Sequence, residues 1–238
     1  MMYREMKHAW PGGLPNLRMN GVIRAAGGTY DHVYVDGVGR IAGDVRAASA
    51  ARVNGVLTVE GSMDTPELRA DGKLNIEGAL KGRMININGI VKTESHVLAE
   101  SIRISGILKS DGNVEAEKVQ LHGAIKVEGL LNAGEMELGL SHMESRASEI
   151  GGESIRVRRL SGSSWKWLLK WIIPGNETRL VANVIEGDDI QLEYTHADIV
   201  RGQRVMIGKG CRIGRVEYRD QLTRHPDAEI GREERTYG

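Results

Sequence analysis

Histidine, cysteine and clustered carboxylates are the side chains that could support catalysis or metal binding, and this sequence spaces them widely. The seven histidines form no HxH or HExxH pair; they lie at positions 8, 32, 96, 122, 142, 196 and 225. Cys211 is the single cysteine, which excludes an internal disulfide and fits a reducing compartment. It lies in IGKGCRIG with no base beside it in sequence, which predicts an inert thiol. We therefore expect no metal site, no cofactor and no enzymatic activity.

Acidic side chains recur at a fixed interval instead of clustering. They stand seventeen positions apart, at Glu60, Glu77, Glu94, Asp111 and Glu128. Lysines precede the later members by two residues, at Lys92, Lys109 and Lys126. If the chain coils with this period, the acids stack as one column and the lysines partly offset their repulsion. The two columns predict a solvated face that keeps a sheet soluble, or else a lateral contact between copies or a weak cation-binding face.

Residues 163–173 (SSWKWLLKWII) differ from the rest of the chain, because they hold three of its four tryptophans together with two lysines. As a helix, the segment would place Trp165, Leu168 and Ile172 on one face. Tryptophan with lysine is typical of a membrane interface, so one interpretation is a membrane or partner contact. The other is a lid that packs over the rest of the chain. The contact residues under either interpretation are Trp165, Trp167, Leu168, Trp171 and Ile172.

A repeat of small residues organises the chain. One series begins with an interval of eighteen positions and then keeps an interval of seventeen: Gly37, Gly55, Gly72, Gly89, Gly106 and Gly123. A second series follows six residues later, at Gly43, Gly61, Gly78, Ser95, Gly112 and Gly129. A third column holds Gly82, Ala99, Ala116 and Ala133. Three columns in register predict three bends per repeat, at which glycine can adopt a positive φ.

Apolar residues alternate with polar ones between these bends, which is typical of strands with one buried face. One column is Leu68, Ile85, Ile102, Val119 and Met136, and others repeat beside it at the same period. Three short strands and three bends in each repeat of seventeen predict one triangular turn of a parallel β-helix. The chain has no Phe and only 4% aromatic residues, which suits a narrow aliphatic core. We predict an all-β protein, a single parallel β-helix.

The repeat and its interruptions predict five segments. They are an N-terminal tail (1–16), β-helix rungs (17–159), a Trp-rich insertion that could be helical (160–179), C-terminal rungs (180–219) and a polar C-terminal tail (220–238). Both tails are expected to be poorly ordered. Residues 1–10 contain no apolar signal region, and no apolar run is long enough to span a bilayer. We expect a cytoplasmic protein, peripheral at the inner membrane face if the tryptophans contact lipid.

The charge balance and the missing coenzyme motifs limit the partners. The 32 basic residues equal the 32 acidic ones, whereas a nucleic-acid binder should carry a basic surface. No coenzyme-binding motif is present, so no small-molecule substrate is expected. A β-helix exposes unpaired N–H and C=O groups on its first and last rungs, and self-assembly is the natural use of such ends.

Two segments carry a resemblance to a known family: NLRMNG…GGTYDHVYVDGVGRIAGDV (16–45) and VIEGDDIQLEYTHADIVRGQRVMIGKGCRIGRVEY (184–218). Both resemble the bactofilins, the polymer-forming cytoskeletal proteins of bacteria, and the first looks like the opening of a Bacillus-type bactofilin. The resemblance implies a right-handed β-helix whose ends stack into filaments without nucleotide. It also implies a scaffold in cell shape, envelope growth or motility, with a second bactofilin or the membrane as further partners. The chain departs from the family in its length, its insertion and its lack of Phe, so other residues must build the stacking surface.

The alternative function is an enzyme. The segment IGKGCRIG (207–214) is similar to the hexapeptide repeat of left-handed β-helix acyltransferases, and His196 is the nearest candidate base. Those rungs need three matched hexads, or eighteen positions, whereas the long series here repeats at seventeen. A pectinase-like β-helix has less support, because clustered carboxylates and a signal sequence are both missing.

Overall fold

The structure, a computed structural model, describes residues 13–141, 143–160 and 178–237. Within these ranges all helix or strand structure is β, and every strand pairing is parallel. The chain is a β-solenoid of about ten turns, which confirms the all-β parallel β-helix. The thirteen strands found in these ranges are β1 (Leu17–Val59), β2 (Met63–Ala70), β3 (Lys73–Ile76), β4 (Leu80–Ile87), β5 (Ile90–Thr93), β6 (Val97–Ile104), β7 (Ile107–Ser110), β8 (Val114–Leu140), β9 (Ser145–Arg159), β10 (Leu180–Leu192), β11 (Thr195–Ile207), β12 (Arg212–Arg224) and β13 (Glu229–Arg235).

Strand register in the central part of the solenoid follows the sequence repeat. In the stack of β2, β4 and β6, Met63 pairs with Leu80 and Leu80 pairs with Val97. In the stack of β3, β5 and β7, Leu74 pairs with Val91, again one period of seventeen further on. The long strands β1 and β8 continue through bends, so β8 pairs with both β6 and β7. Each rung therefore pairs with the next rung on more than one face of the solenoid.

The interior consists of aliphatic columns that run along the solenoid axis. The column predicted to begin at Leu68 is buried throughout, with no member more than 1% exposed. The neighbouring predicted columns, including Leu57, Leu74, Val91, Leu108 and Ile125, are buried as well. Burying one such side chain stabilises a fold by about 1.5–3 kcal/mol, so the stacked columns are the main source of stability. The predicted inside and outside faces of the central rungs are confirmed.

Two hydroxyl residues replace aliphatic ones in a core column, and both are hydrogen bonded. Thr93 donates from Oγ1 to the Gly78 carbonyl at 2.6 Å, and Ser110 donates from Oγ to the Ser95 carbonyl at 2.7 Å. These carbonyls belong to a bend, so each hydroxyl ties its strand to the neighbouring corner. Within the described part of the chain, no buried side-chain oxygen or nitrogen lacks a hydrogen-bond partner.

The positive φ predicted for the main glycine column occurs only in its first two members. Gly37 and Gly55 have φ of 133°, but the later members have no φ in the left-handed region. Each of them instead lies against the carbonyl oxygen of the glycine one rung earlier, where a Cβ atom would collide with backbone. Close approach of rungs, and not a positive φ, therefore requires glycine at positions such as Gly72 and Gly89.

Residues 220–238 were predicted as a poorly ordered polar tail, and this is wrong for the described part of the segment. Strand β12 continues to Arg224, and β13 pairs with β12 along its whole length. The repeat of seventeen persists there, since Ile213 pairs with Ile230. The last rung carries few apolar residues, so alternation of apolar and polar positions did not indicate a strand there.

Register is less regular between β8 and β12. Leu140 pairs with Arg159, an interval of nineteen, and Leu180 pairs with Thr195, an interval of fifteen. The predicted Trp-rich insertion (160–179) falls almost entirely outside the described residues, which resume at residue 178. In the described ranges there is no helix that could cross a membrane.

Candidate functional site

The basic column lies on one outer face of the solenoid. Lys92 pairs in register with Lys109, and Lys109 with Lys126, so the three lysines occupy successive rungs. Asn75 precedes them and Arg146 follows Lys126 one rung on. The column is thus continuous in space.

The acidic column stands beside it, one residue beyond the short strands, and its charges are partly paired. Lys92 Nζ lies 3.1 Å from a carboxylate oxygen of Glu94 and 3.8 Å from one of Asp111 in the next rung. The hydrogen bond to Glu94 is the main reason that the pKa of Lys92 is raised. Glu60 is paired with Arg40. The remaining acids, Glu77 and Glu128, continue the column at the same interval, and both are exposed.

These acids do not converge on a point, because each sits in a separate rung. No group of three or more His, Cys, Asp or Glu side chains in the described ranges could hold a metal ion. The column therefore has the character of an extended charged surface.

Five predicted contact residues lie outside the described residues: Trp165, Trp167, Leu168, Trp171 and Ile172. Strands β9 and β10 lie on either side of this segment in the sequence and pair with each other. Near the point of return, Arg179 Nη2 lies 3.0 Å from a carboxylate oxygen of Glu144.

A second charged network, in the C-terminal rungs, was not predicted. Arg201 Nη1 lies 2.9 Å from Glu186, and its Nε lies 2.6 Å from Glu217. Arg204 makes two contacts of 2.5 Å with the carboxylate of Asp189. The interval of fifteen that separates Glu186 from Arg201 and Asp189 from Arg204 was the available signal. The repeat of seventeen, which describes the central rungs, does not bring these residues together, so the network was not predicted.

One Ser–Asp–His group occurs on the surface, but its geometry is not that of a nucleophile with its base. Ser49 Oγ donates to one oxygen of Asp31 at 2.6 Å, and His32 Nδ1 lies 3.1 Å from the other. The Ser49 hydroxyl is the largest cause of the lowered pKa of Asp31. Nucleophilic catalysis needs a base within hydrogen-bond reach of the hydroxyl, whereas here both partners bind the carboxylate.

The candidate acyltransferase segment is placed at the turn between β11 and β12. Cys211 is 2% exposed and directs its Sγ toward the Leu192 carbonyl at 3.3 Å. Burial raises the pKa of this thiol to about 11, as expected for an inert cysteine. His196 lies on β11, in register with Val181 and Arg212.

The two ends of the solenoid are the remaining candidate surface. Strand β13 pairs with β12 on one side and with no other described strand on its second side. Eight apolar residues of the described chain are only partly buried against the core, and seven of them lie in the end rungs: Leu17, Ile23, Ala25, Tyr30, Tyr218, Leu222 and Ile230. Among the described residues, the C-terminal end therefore has a free strand edge, and the core is only partly covered at both ends.

Comparison with known proteins finds no matching family model and no matching solved structure. The chain is 41% identical over 98 residues to the uncharacterized protein YhbF of Bacillus subtilis (strain 168), a match that covers 41% of this chain and 38% of YhbF. It is 38% identical over 98 residues to the uncharacterized protein YhbE of the same organism, covering 41% of this chain and 39% of YhbE. The chain thus spans less than two fifths of the length of these curated relatives.

Proposed function

We propose that this chain is a bactofilin-like cytoskeletal scaffold that self-assembles end to end into nucleotide-independent filaments. Such filaments would support cell shape, envelope growth or assembly of a motility apparatus. The observation that carries the proposal is the pair of open ends, where the aliphatic core is only partly covered and the last rung has a free edge.

Stacking a second copy on an end would both cover the exposed part of the core and pair the free backbone groups. It would remove from water the exposed parts of partly buried side chains such as Leu17, Ile23 and Ile230. Each Å² of apolar surface buried is worth about 25 cal/mol. It would also pair the free N–H and C=O groups of β13 with another rung. Neither gain needs a nucleotide, a metal or a cofactor.

The finer description of the fold belongs to the same proposal. We infer triangular rungs with a period of seventeen in the central region, supported by the register of β2, β4 and β6. We also infer a right-handed coil, which the resemblance to the bactofilins implies. The proposed partner is the chain itself, with a second bactofilin or the inner membrane face as additional partners, and the proposed location is the cytoplasm. Nucleic acid and small-molecule substrates have no part in the proposal.

Electron microscopy and sedimentation of the purified protein test the function. Filaments should form without nucleotide, and they should survive a chelator. Protein that stays monomeric at high concentration under all these conditions would contradict end-to-end assembly.

A variant at the free edge makes the test specific. Glu229 N–H donates to the Cys211 carbonyl, so alternation along β13 directs the N–H of Ile230 away from β12. Ile230→Pro removes that outward donor and places proline at an edge position that it tolerates. The variant should melt like wild type but form shorter and fewer filaments. Lys109→Asp, which alters the surface far from both ends, should leave filament length unchanged.

A further inference from the structure

A row of aliphatic side chains runs along the outside of the solenoid, directly after the glycine column. Its members follow the glycines of six successive rungs: Val22, Val38, Val56, Lys73, Ile90 and Ile107. The stripe ends there, because the next residue of the series, Ala124, is buried. Register places Val56 beside Lys73, Lys73 beside Ile90, and Ile90 beside Ile107. We call this row the aliphatic stripe.

The stripe is exposed over most of its length. Val22 is 86% exposed, Val38 49%, Val56 37% and Ile90 41%. The described residues include seven exposed large apolar side chains, and four of them fall in this one column. Scattered apolar residues are normal on a protein surface, but a contiguous row of them indicates an interaction site.

The dimensions of the stripe indicate what kind of partner fits. Six rungs spaced ~4.8 Å apart give a length of roughly 24 Å, but the row is one side chain wide. A stable interface buries about 800 Å² on each partner, which is more than one such row provides. A contact of this type becomes strong when it is repeated along an assembly. A partner with the same rung spacing would match every side chain of the row.

Charges on the two sides of the stripe favour another copy of this chain. On one side lie Lys92 and Lys109, two residues after Ile90 and Ile107. On the other side, before the glycines, lies a column that includes Asp36, Asn54, Asp71 and Asn88, in which Asn54 bonds to Asp36 and Asn88 to Asp71. The acidic column beyond the lysines disfavours an anionic membrane as the partner.

We propose that the aliphatic stripe is a lateral contact between two copies of this chain that lie side by side in the same direction. A two-fold axis parallel to the solenoid keeps equivalent rungs at the same height, so it brings Arg40 of one copy opposite Asp36 of the other and Lys92 opposite Asn88. An antiparallel arrangement would instead oppose lysine with lysine. Lys73, the one charged member, would face its own copy, and its long stem can bend the ammonium group toward water. The contact rests on the proposed function, because filaments supply the repeated copies.

Substitution by threonine tests the stripe while keeping β-branched side chains in the strands. Wild-type filaments should associate laterally into bundles. Val38→Thr/Val56→Thr/Ile90→Thr should form single filaments of normal length, with bundles reduced roughly tenfold, which corresponds to ~1.4 kcal/mol per contact. Leu98→Thr is the matched control, because Leu98 is 50% exposed but lies on β6, outside the stripe. Unchanged bundling of the triple variant, or wild-type filaments that never bundle, would overturn the proposal.

Cysteine cross-linking of the polymerised protein tests the contact without relying on the appearance of bundles. The native Cys211 is buried, so an introduced surface thiol is the reactive one. Under oxidising conditions Ile90→Cys should give several-fold more disulfide-linked dimer than Leu98→Cys, because the parallel arrangement brings Ile90 opposite Ile90. Absence of wild-type polymers would refute end-to-end assembly, while absence of the Ile90→Cys dimer would refute the stripe. An Ile90→Cys thiol that maleimide cannot reach in the monomer would show that the chain covers its own stripe, and would also refute the proposal.

Discussion

Arg212 and Glu229 form a two-point ion pair between the last two rungs of the solenoid. The guanidinium Nε of Arg212 lies 2.7 Å from Oε2 of Glu229, and its Nη2 lies 3.3 Å from Oε1. Ile230 is the one aliphatic side chain of β13, and it is only partly buried. The last rung therefore depends more on charge and backbone pairing than the central rungs do.

The dependence on charge predicts local fraying of the end. Arg212→Gln should increase amide hydrogen exchange across residues 229–235 without shifting the main unfolding transition, since exposed ion pairs contribute only ~0.2–1 kcal/mol. Hydrogen-exchange mass spectrometry measures the effect. Equal protection of β13 in the variant and wild type would show that the pair does not hold the rung.

The network around Glu217 predicts a pH dependence of stability. The Arg201 guanidinium is the main cause of the lowered pKa of this carboxyl, and Arg215 Nε also lies 2.9 Å from it. A carboxyl whose pKa is depressed by folding stabilises the fold above its unfolded value of about 4.3 and loses that effect as pH falls through the folded pKa. Glu217→Gln should therefore melt below wild type at pH 7, and the difference should vanish in acid. Glu153→Gln, at an exposed position, is the control and should track wild type across the range.

Contact between the glycines predicts a steric requirement. Gly89→Ala would drive a Cβ atom into the carbonyl oxygen of Gly72, which should separate the rungs and cost about 2 kcal/mol or more. At Gly134 the nearest atom to an added Cβ is the Glu117 oxygen at 3.2 Å, so Gly134→Ala should cost much less. Thermal melts of the two variants compare the costs. Similar losses at both sites would contradict the close-approach explanation.

The inside and outside faces predict opposite responses to a charge. Ile104 is 2% exposed and lies between Ile87 and Leu121 of adjacent rungs. Ile104→Asp should cost several kcal/mol and disrupt folding, because it buries an unpaired charge. Lys109→Asp, on the outer face, should change stability by less than about 1 kcal/mol. Circular dichroism and thermal melts distinguish the two results.

The tryptophan segment carries two predictions that depend on sequence alone. As a membrane contact, it should make the wild type sediment with anionic liposomes, less so at high salt, and Trp167→Ser/Trp171→Ser should abolish binding without lowering the melting temperature. As a lid, it should show blue-shifted emission before lipid is added, and the same variant should lose stability. Red-shifted emission in a wild type that ignores liposomes would contradict both interpretations.

The central solenoid was predictable from sequence because each core position repeats at a constant interval. Leu68 and Ile85 differ by one period, as do Ile104 and Leu121, so a single alignment places every inward side chain. The later rungs were not predictable in this way, since Leu180 and Thr195 pair at an interval of fifteen and Leu140 and Arg159 at nineteen. Bends of different length can join strands that still pair, so the strands remain in register although the number of residues per turn changes.

The aliphatic stripe was missed for a different reason. Outward positions were assigned from the charge columns, and the interval from Val22 to Val38 is sixteen whereas that from Val38 to Val56 is eighteen. The contacts between successive glycines, together with strand register, place these valines in one column with Ile90. A β-helix was expected to have two open ends. The residues of the C-terminal end could not be predicted, because β13 was expected to be a polar tail.

The number of turns has a consequence for any fibre that this chain builds. About ten turns at ~4.8 Å each make a subunit roughly 48 Å long along its axis. Head-to-tail stacking in one direction would give a meridional reflection at a spacing equal to this subunit length. The strands would add a strong layer line at ~4.8 Å. Copies that alternate in direction would double the spacing. Fibre diffraction from oriented filaments would thus report polarity, and each rung gained or lost by the chain would change the spacing by one fixed increment.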